Sequence, residues 1–192
     1  EVEAIIHIVR CFDDDNIVHV EGKIDPKSDI EIIETELILK DLDTIDKRLD
    51  RAGKSLKTGD KRIKLEVETL TALKDHLATS RLAKYFTVDL HDEQKDIVKE
   101  LHLLTDKPFL YVANVDDKNL NGNAYSELVK SIADKENAQF LILSVQIESE
   151  IAQLETKEEK TEFLKEMGLN LSGLDRLINK GYELLHLLTF FT

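Results

Sequence analysis

The chain has 192 residues, 42% hydrophobic and 34% charged, with a formal net charge of −13. That balance excludes a disordered tail, and the acidic total excludes a surface that is basic throughout and wraps nucleic acid. No apolar run approaches the roughly 20 residues of a membrane span, the start has no signal-peptide pattern, and the single cysteine, Cys11, excludes an internal disulfide, so a soluble protein of the reducing cytoplasm is expected.

In chain order, Ala4 to Phe12 is a short apolar run rich in β-branched residues and predicts a buried strand, ended by the acidic cluster Asp13, Asp14 and Asp15. Ile17 to Val20 extends it or makes a short return, and Gly22 with the Asp25–Pro26 pair breaks regular structure. From Asp29 to about Phe86 the period changes. Ile38, Leu42, Ile45, Leu49, Ala52 and Leu56 follow a heptad spacing, and Ile63, Val67, Leu70, Leu73 and Leu77 form a second stripe. Between them Gly59 is placed for a positive φ and Asp60 for a helix cap. Two helices of comparable length around that turn predict an antiparallel hairpin with arms of roughly 40 Å.

The remainder reads as α/β. Asp92 to Leu104 predicts a helix, Phe109 to Ala113 a buried strand, and Asn123 to Lys135 a helix with Tyr125, Leu128, Val129 and Ile132 inward. Phe140 to Leu143 is a third strand, followed by a surface helix near Glu148 and Glu150. A further helix starts at the capping box Thr156/Glu159 and stops at Gly168, and a last one runs from Ser172 to about Lys180 and ends at Gly181. Buried strands separated by helices imply a parallel sheet covered on both faces. With only three clear strands, the first separated from the others by the hairpin, the pattern is a partial nucleotide-binding sheet interrupted by a coiled-coil insertion.

In open parallel sheets ligands bind at the carboxyl ends of the strands. Asn114 to Asp117 follows the second strand and Ser144 to Gln146 the third, about 30 residues on with one helix between, so the two loops flank neighbouring strand ends. An N-x-x-D loop paired with a serine loop has the layout by which GTPases read a base, although N-x-x-D alone is equally the pattern of a polar turn. Residues 47 to 64 hold eight Lys and Arg against Asp50 and Asp60, so the hairpin tip is basic in an acidic protein. It either contacts nucleic acid through Lys54, Lys57, Lys61 and Arg62 or merely solvates an exposed arm. Cys11 reads as a buried thiol, His7, His19 and His102 as packing or surface residues, and Asp13 to Asp15 as an exposed acidic turn in preference to a cation site.

Several runs agree in order and spacing with one family. Ile6 to Phe12, Asn16 to Val20, Gly22 to Pro26, Asp29 to Leu37, Tyr111 to Val115, and Gly181 through Thr192 resemble successive segments of the YchF-type Obg-like ATPases. The similarity covers essentially the whole chain. It implies a P-loop nucleotide hydrolase of α/β class, with residues 1–27 and 87–186 in the nucleotide-binding domain, 28–86 as a coiled-coil hairpin insertion, and 187–192 at the junction to a TGS domain. Carried over by position, Asn114 is the asparagine of the base-recognition motif, Val115 the backbone contact to adenine, and Asp117 stands where the family usually has glutamate. Ser144 and Val145 line the other side of the base. Val115 in place of the lysine of N-K-x-D favours ATP, whereas Asp117 is the residue type that GTPases turn toward guanine, so GTP stays open.

The 192 residues contain no G-x-x-x-x-G-K-[ST], and no D-x-x-G switch follows a strand. The resemblance therefore places the phosphate loop, the Mg2+ ligands and the catalytic residues outside this chain, which is expected to be inactive by itself. It also implies association with the ribosome or RNA. The rival readings are a non-catalytic RNA-binding module acting through the basic tip, and a nucleotide-free scaffold. Oligomeric state is not legible in the sequence.

Overall fold

The computed structural model describes residues 2–14, 24–56 and 59–187. Their elements run β1 (Ile5–Arg10), α1 (Pro26–Ser55), α2 (Lys61–Ala78), α3 (Lys84–Thr87), α4 (Asp92–Lys99), β2 (Phe109–Asn114), α5 (Ala124–Lys135), β3 (Gln139–Leu143), α6 (Val145–Gln153), α7 (Lys157–Glu166) and α8 (Gly173–Leu184). They group into two compact units, one over 30–107 and one over residues up to 29 together with 108 onward. Residues 87–107, expected with the sheet, thus group with the first two helices, because α4 packs on α2.

The sheet is parallel, in the order β1-β2-β3. The central strand β2 is buried along five of its six residues, which is why its sequence is apolar without alternation. Leu110 and Val112 point to one face, where they form a cluster with Leu141 and Leu143 of β3 and with Leu177 and Leu184 of α8. Tyr111 points to the other face and donates its hydroxyl hydrogen to Glu136 at 3.1 Å, at the end of α5. β1 is only half of the buried strand expected. His7 and Val9 are buried, but Ile6 and Ile8, in register with Leu110 and Val112, are 49% and 55% exposed. The buried face of α5 also differs from the prediction. It is made of Ser126, Val129 and Ala133, with Leu128 exposed.

In the other unit, Ile38 and Ile45 of α1 share one buried cluster with Leu70, Leu73 and Leu77 of α2 and Ile97 and Val98 of α4, with Leu42 and Leu49 packed against it. Cross-helix ion pairs Asp46–Lys74 and Arg48–Glu66 link α1 to α2 in reverse chain order. Asp60 caps α2 by accepting from the Arg62 N–H at 2.8 Å, and Gly59 takes φ +74°.

Four boundaries correct the sequence reading. α1 begins at Pro26 and not near Asp29: proline needs no N–H partner in a first turn, and the Asp25 carboxylate accepts from the Lys27 and Ser28 amides at 3.1 Å each. α2 has 18 residues against 30 in α1, so the two are not of comparable length. α2 stops where Thr79 caps it and Ser80 takes φ +59°. α4 ends at Lys99, short of Leu104, with His102 at φ +51°. α8 runs through Gly181 to Leu184, because the helical hydrogen bonds continue past the glycine and Leu185 N–H still bonds Gly181 O. Thr156/Glu159 forms the expected capping box, and Gly168 sits at φ +69° beyond α7. The expected return at Ile17–Val20, and His19, lie outside the described residues.

One buried polar group had no sequence signal. Asp41, 2% exposed on α1, accepts hydrogen bonds from the Leu104 and Thr105 amides at 2.8 Å each and from the Thr105 hydroxyl at 2.7 Å. The same hydroxyl accepts from the Ala83 N–H at 3.1 Å, so one carboxylate organises the chain on both sides of α3 and α4.

Candidate functional site at the carboxyl ends of the strands

The three strand ends are tied together by the backbone beyond the ladder itself. Cys11 N–H donates to Asn114 O at 2.8 Å, and Val115 N–H donates to Leu143 O at 2.9 Å. Side chains add two further ties. Asn114 Oδ1 accepts from the Val145 N–H at 2.9 Å, joining the loop after β2 to the loop after β3. Asn123, which caps α5 by accepting from the Ser126 N–H at 2.9 Å, donates through Nδ2 to Cys11 O at 2.7 Å. Asn123 was missed as a site residue. Its only sequence signal was its place before a helix, which predicts a cap and not a tie to another strand.

The structure brings Asn114, Val115, Ser144 and Val145 together and divides their roles. Val115 has a buried side chain, 2% exposed, and a committed N–H, so its carbonyl is the group it can offer a base. Ser144 is also 2% exposed and accepts from the Ile147 N–H at 3.4 Å as the cap of α6, so its hydroxyl serves the helix. Val145 is 46% exposed and presents an apolar side chain. Asp117 is exposed, whereas Asp116 is turned inward on its own loop, accepting from the Lys118 N–H at 3.2 Å and from Asn119 Nδ2 at 2.6 Å. Of the two neighbouring carboxylates, Asp117 is therefore the more exposed.

Cys11 is fully buried, and burial, with a smaller push from Asp29, raises its thiol to about 12, which suits packing and not nucleophilic chemistry. His7 is buried beside the Tyr111 ring, 5.6 Å between centroids. Its Nδ1 has no hydrogen-bond partner among the described residues, and burial holds its pKa below the usual range against the opposing pull of Asp29 and Glu136. Among the described residues no group of three or more His, Cys, Asp or Glu is arranged to hold a metal ion. No helix among them is long and apolar enough to cross a membrane.

The basic stretch separates into paired and unpaired cations. Arg62 bonds Glu100 at 3.1 Å, Arg48 bonds Glu66 and Glu100, Lys47 bonds Asp43, and Lys64 lies 3.7 Å from Glu68. Arg51, Lys54 and Lys61 have no carboxylate within ion-pair distance among the described residues, and Lys57 lies outside them. A recess of about 620 Å³ beside the start of α2 is lined by Lys61 and Arg62 and by Glu93 and Asp96, so it is electrostatically mixed.

No protein-family model matches the chain. Individual relatives do. The chain is 47% identical over 195 residues to the ribosome-binding ATPase YchF of Bacillus subtilis and 43% identical over 192 residues to that of Escherichia coli O157:H7. In each case the match takes in all of this chain and 52% of the relative. Among solved structures it matches the YchF of Schizosaccharomyces pombe, described as a GTPase, with a TM-score of 0.78 and 30% identity over 96% of this chain and 50% of that one. Along its whole length the chain is thus a homologue of YchF, an α/β protein related to ribosome-associated nucleotide hydrolases, and it spans about half the length of the curated relatives it matches.

Proposed function

We propose that the loops after β2 and β3 read the purine base of a nucleoside triphosphate. We further propose that the protein they serve hydrolyses ATP in the cytoplasm in association with the ribosome. The observation that carries this reading is the Asn114–Val145 hydrogen bond, which joins the two loops while leaving Asp117 and the Val145 side chain exposed beside it. The Mg2+ ligands and the phosphate-binding loop are proposed to lie outside this chain, which is expected to hydrolyse nothing on its own.

The base preference follows from donor and acceptor chemistry. With the Val115 N–H bonded to Leu143, that position offers a carbonyl, which accepts from the 6-amino group of adenine and repels the 6-oxo group of guanine. Asp117 favours the opposite outcome, because an exposed carboxylate can accept two charge-assisted bonds from guanine, each worth about 1.5–3 kcal/mol. We favour ATP, since rejection by a fixed backbone group is harder to evade than attraction by a mobile side chain. The relatives' names, two ATPases and one GTPase, support a purine nucleotide without choosing between them. The test is ATP against GTP affinity of the full-length protein with Mg2+, before and after Asp117→Ala. ATP preference that survives the substitution is the expected result. GTP preference abolished by the same substitution overturns it.

Lys54 near the end of α1 and Lys61 at the start of α2, which have no ion-pair partner among the described residues, support a second role. We propose that Lys54, Lys57 and Lys61 meet ribosomal RNA phosphates, with Arg62 contributing less because Glu100 already neutralises it.

A further inference from the structure

We propose that Glu148 is a positioning residue for base recognition, bracing the β3–α6 loop against the N-terminus of α8. The inference rests on the purine-loop reading given above. Glu148 lies in the first turn of α6, four residues after Ser144. Its Oε1 accepts from the Gly173 N–H at 2.6 Å and its Oε2 from the Leu174 N–H at 2.9 Å. These are the first two amides of α8, which have no partner within their own helix, and a carboxylate also complements the positive end of the helix dipole. Ser172, the cap residue, serves the next amide, accepting from the Asp175 N–H at 3.0 Å.

The approach is close enough to require glycine. A Cβ at residue 173 would lie 2.8 Å from Glu148 Oε1 and 2.9 Å from Leu143 Cβ, at the end of the strand that leads into the loop. Gly173 therefore lets α8 seat its N-terminus directly against both β3 and α6. The stretch Ser144–Ile147, expected as a loop, is the cap and first turn of α6, and it is held from two sides. Asn114 fixes the Val145 amide from β2, and Glu148 fixes the first turn of α6 from α8. A loop held this way is preorganised for a base, and loosening it lowers apparent affinity in proportion to the competent fraction.

The test uses the full-length protein with Glu148→Ala, Glu148→Gln, Gly173→Ala and Asn114→Ala. Each is assayed for affinity to the preferred purine triphosphate and, separately, to inorganic tripolyphosphate as a probe lacking the base. Glu148→Ala and Gly173→Ala are expected to weaken the nucleotide by about tenfold while leaving tripolyphosphate unchanged, if they cut the competent fraction to about a tenth. Glu148→Gln should recover part of the loss, since its amide oxygen can accept one of the two N–H groups. Nucleotide affinity intact in Glu148→Ala but reduced in Asn114→Ala overturns the brace and leaves the base loops standing. Affinity intact in both overturns the base-loop reading and the brace with it. Equal losses for nucleotide and tripolyphosphate mark a general folding defect and also overturn the brace.

Discussion

Replacing Asp41 by alanine tests whether one buried carboxylate organises the helical unit. Asp41 is 2% exposed and accepts three hydrogen bonds, two from the backbone amides of Leu104 and Thr105 and one from the Thr105 hydroxyl. Its removal strands a fully buried Thr105 amide and a partly buried Leu104 amide, each at a cost of about 1–3 kcal/mol. The expected loss is therefore about 3 kcal/mol, which for a chain of this size lowers Tm by about 6–12 °C. Asp41→Asn should be nearly as harmful, because either orientation of its NH2 group faces an N–H donor. The assay is urea unfolding followed by circular dichroism, with a double-mutant cycle against Thr105→Val. A coupling of at least about 0.5 kcal/mol is expected for groups in direct contact. A loss below about 1 kcal/mol for Asp41→Ala, with an unchanged urea slope, would refute the assignment of Asp41 as an organising group.

Two further outcomes follow from charge. Burial lowers the pKa of His7, so the folded state resists protonation that the unfolded chain accepts near its ordinary value of about 6.5. Its contribution is present above that value and is lost as pH falls through it toward the lowered folded pKa. Urea midpoints should drop between pH 7.5 and 5, and drop less in His7→Leu; parallel curves for the two proteins would exclude His7 as the cause. For the basic connection, Lys54→Ala with Lys61→Ala should reduce the slope of log affinity against log salt for ribosome binding by about 0.7–0.9 per residue, and Arg62→Ala by less. An unchanged slope in the double variant sinks the proposed phosphate contacts.

The layout of the proposed site was legible from spacing alone. Asn114 to Asp117 and Ser144 to Gln146 each follow an apolar run, and parallel register brings successive strand ends side by side, so their proximity needed no side-chain information. The functions of the individual groups did need it. Ser144 and Val145 look equally available in the sequence, yet the Ser144 hydroxyl is spent capping α6 while Val145 faces outward. Asp116 and Asp117 are adjacent carboxylates, and only the fold of the loop turns the first onto Asn119 and leaves the second exposed. Among the basic residues, Arg48 and Arg62 gain Glu100, a partner 52 and 38 positions away, that no local window reveals.

The sequence carried the class of the fold and the order of its main elements, although not the short α3. Hydrophobic period, helix caps and glycine positions are local properties, and they sufficed for three parallel strands, the seam of α1 from Ile38 to Ala52 but not Leu56, which is 43% exposed, and the capping box of α7. Tertiary structure decided where helices stop, which faces are buried and which polar groups are consumed. α8 passes Gly181 and Asp41 lies deep in the helical unit because these outcomes depend on partners distant in sequence. Glu148 shows the limit most clearly. As one of several acids on a surface helix it reads as solvated, and only the approach of Gly173, 25 residues on, gives its carboxylate two amides to hold.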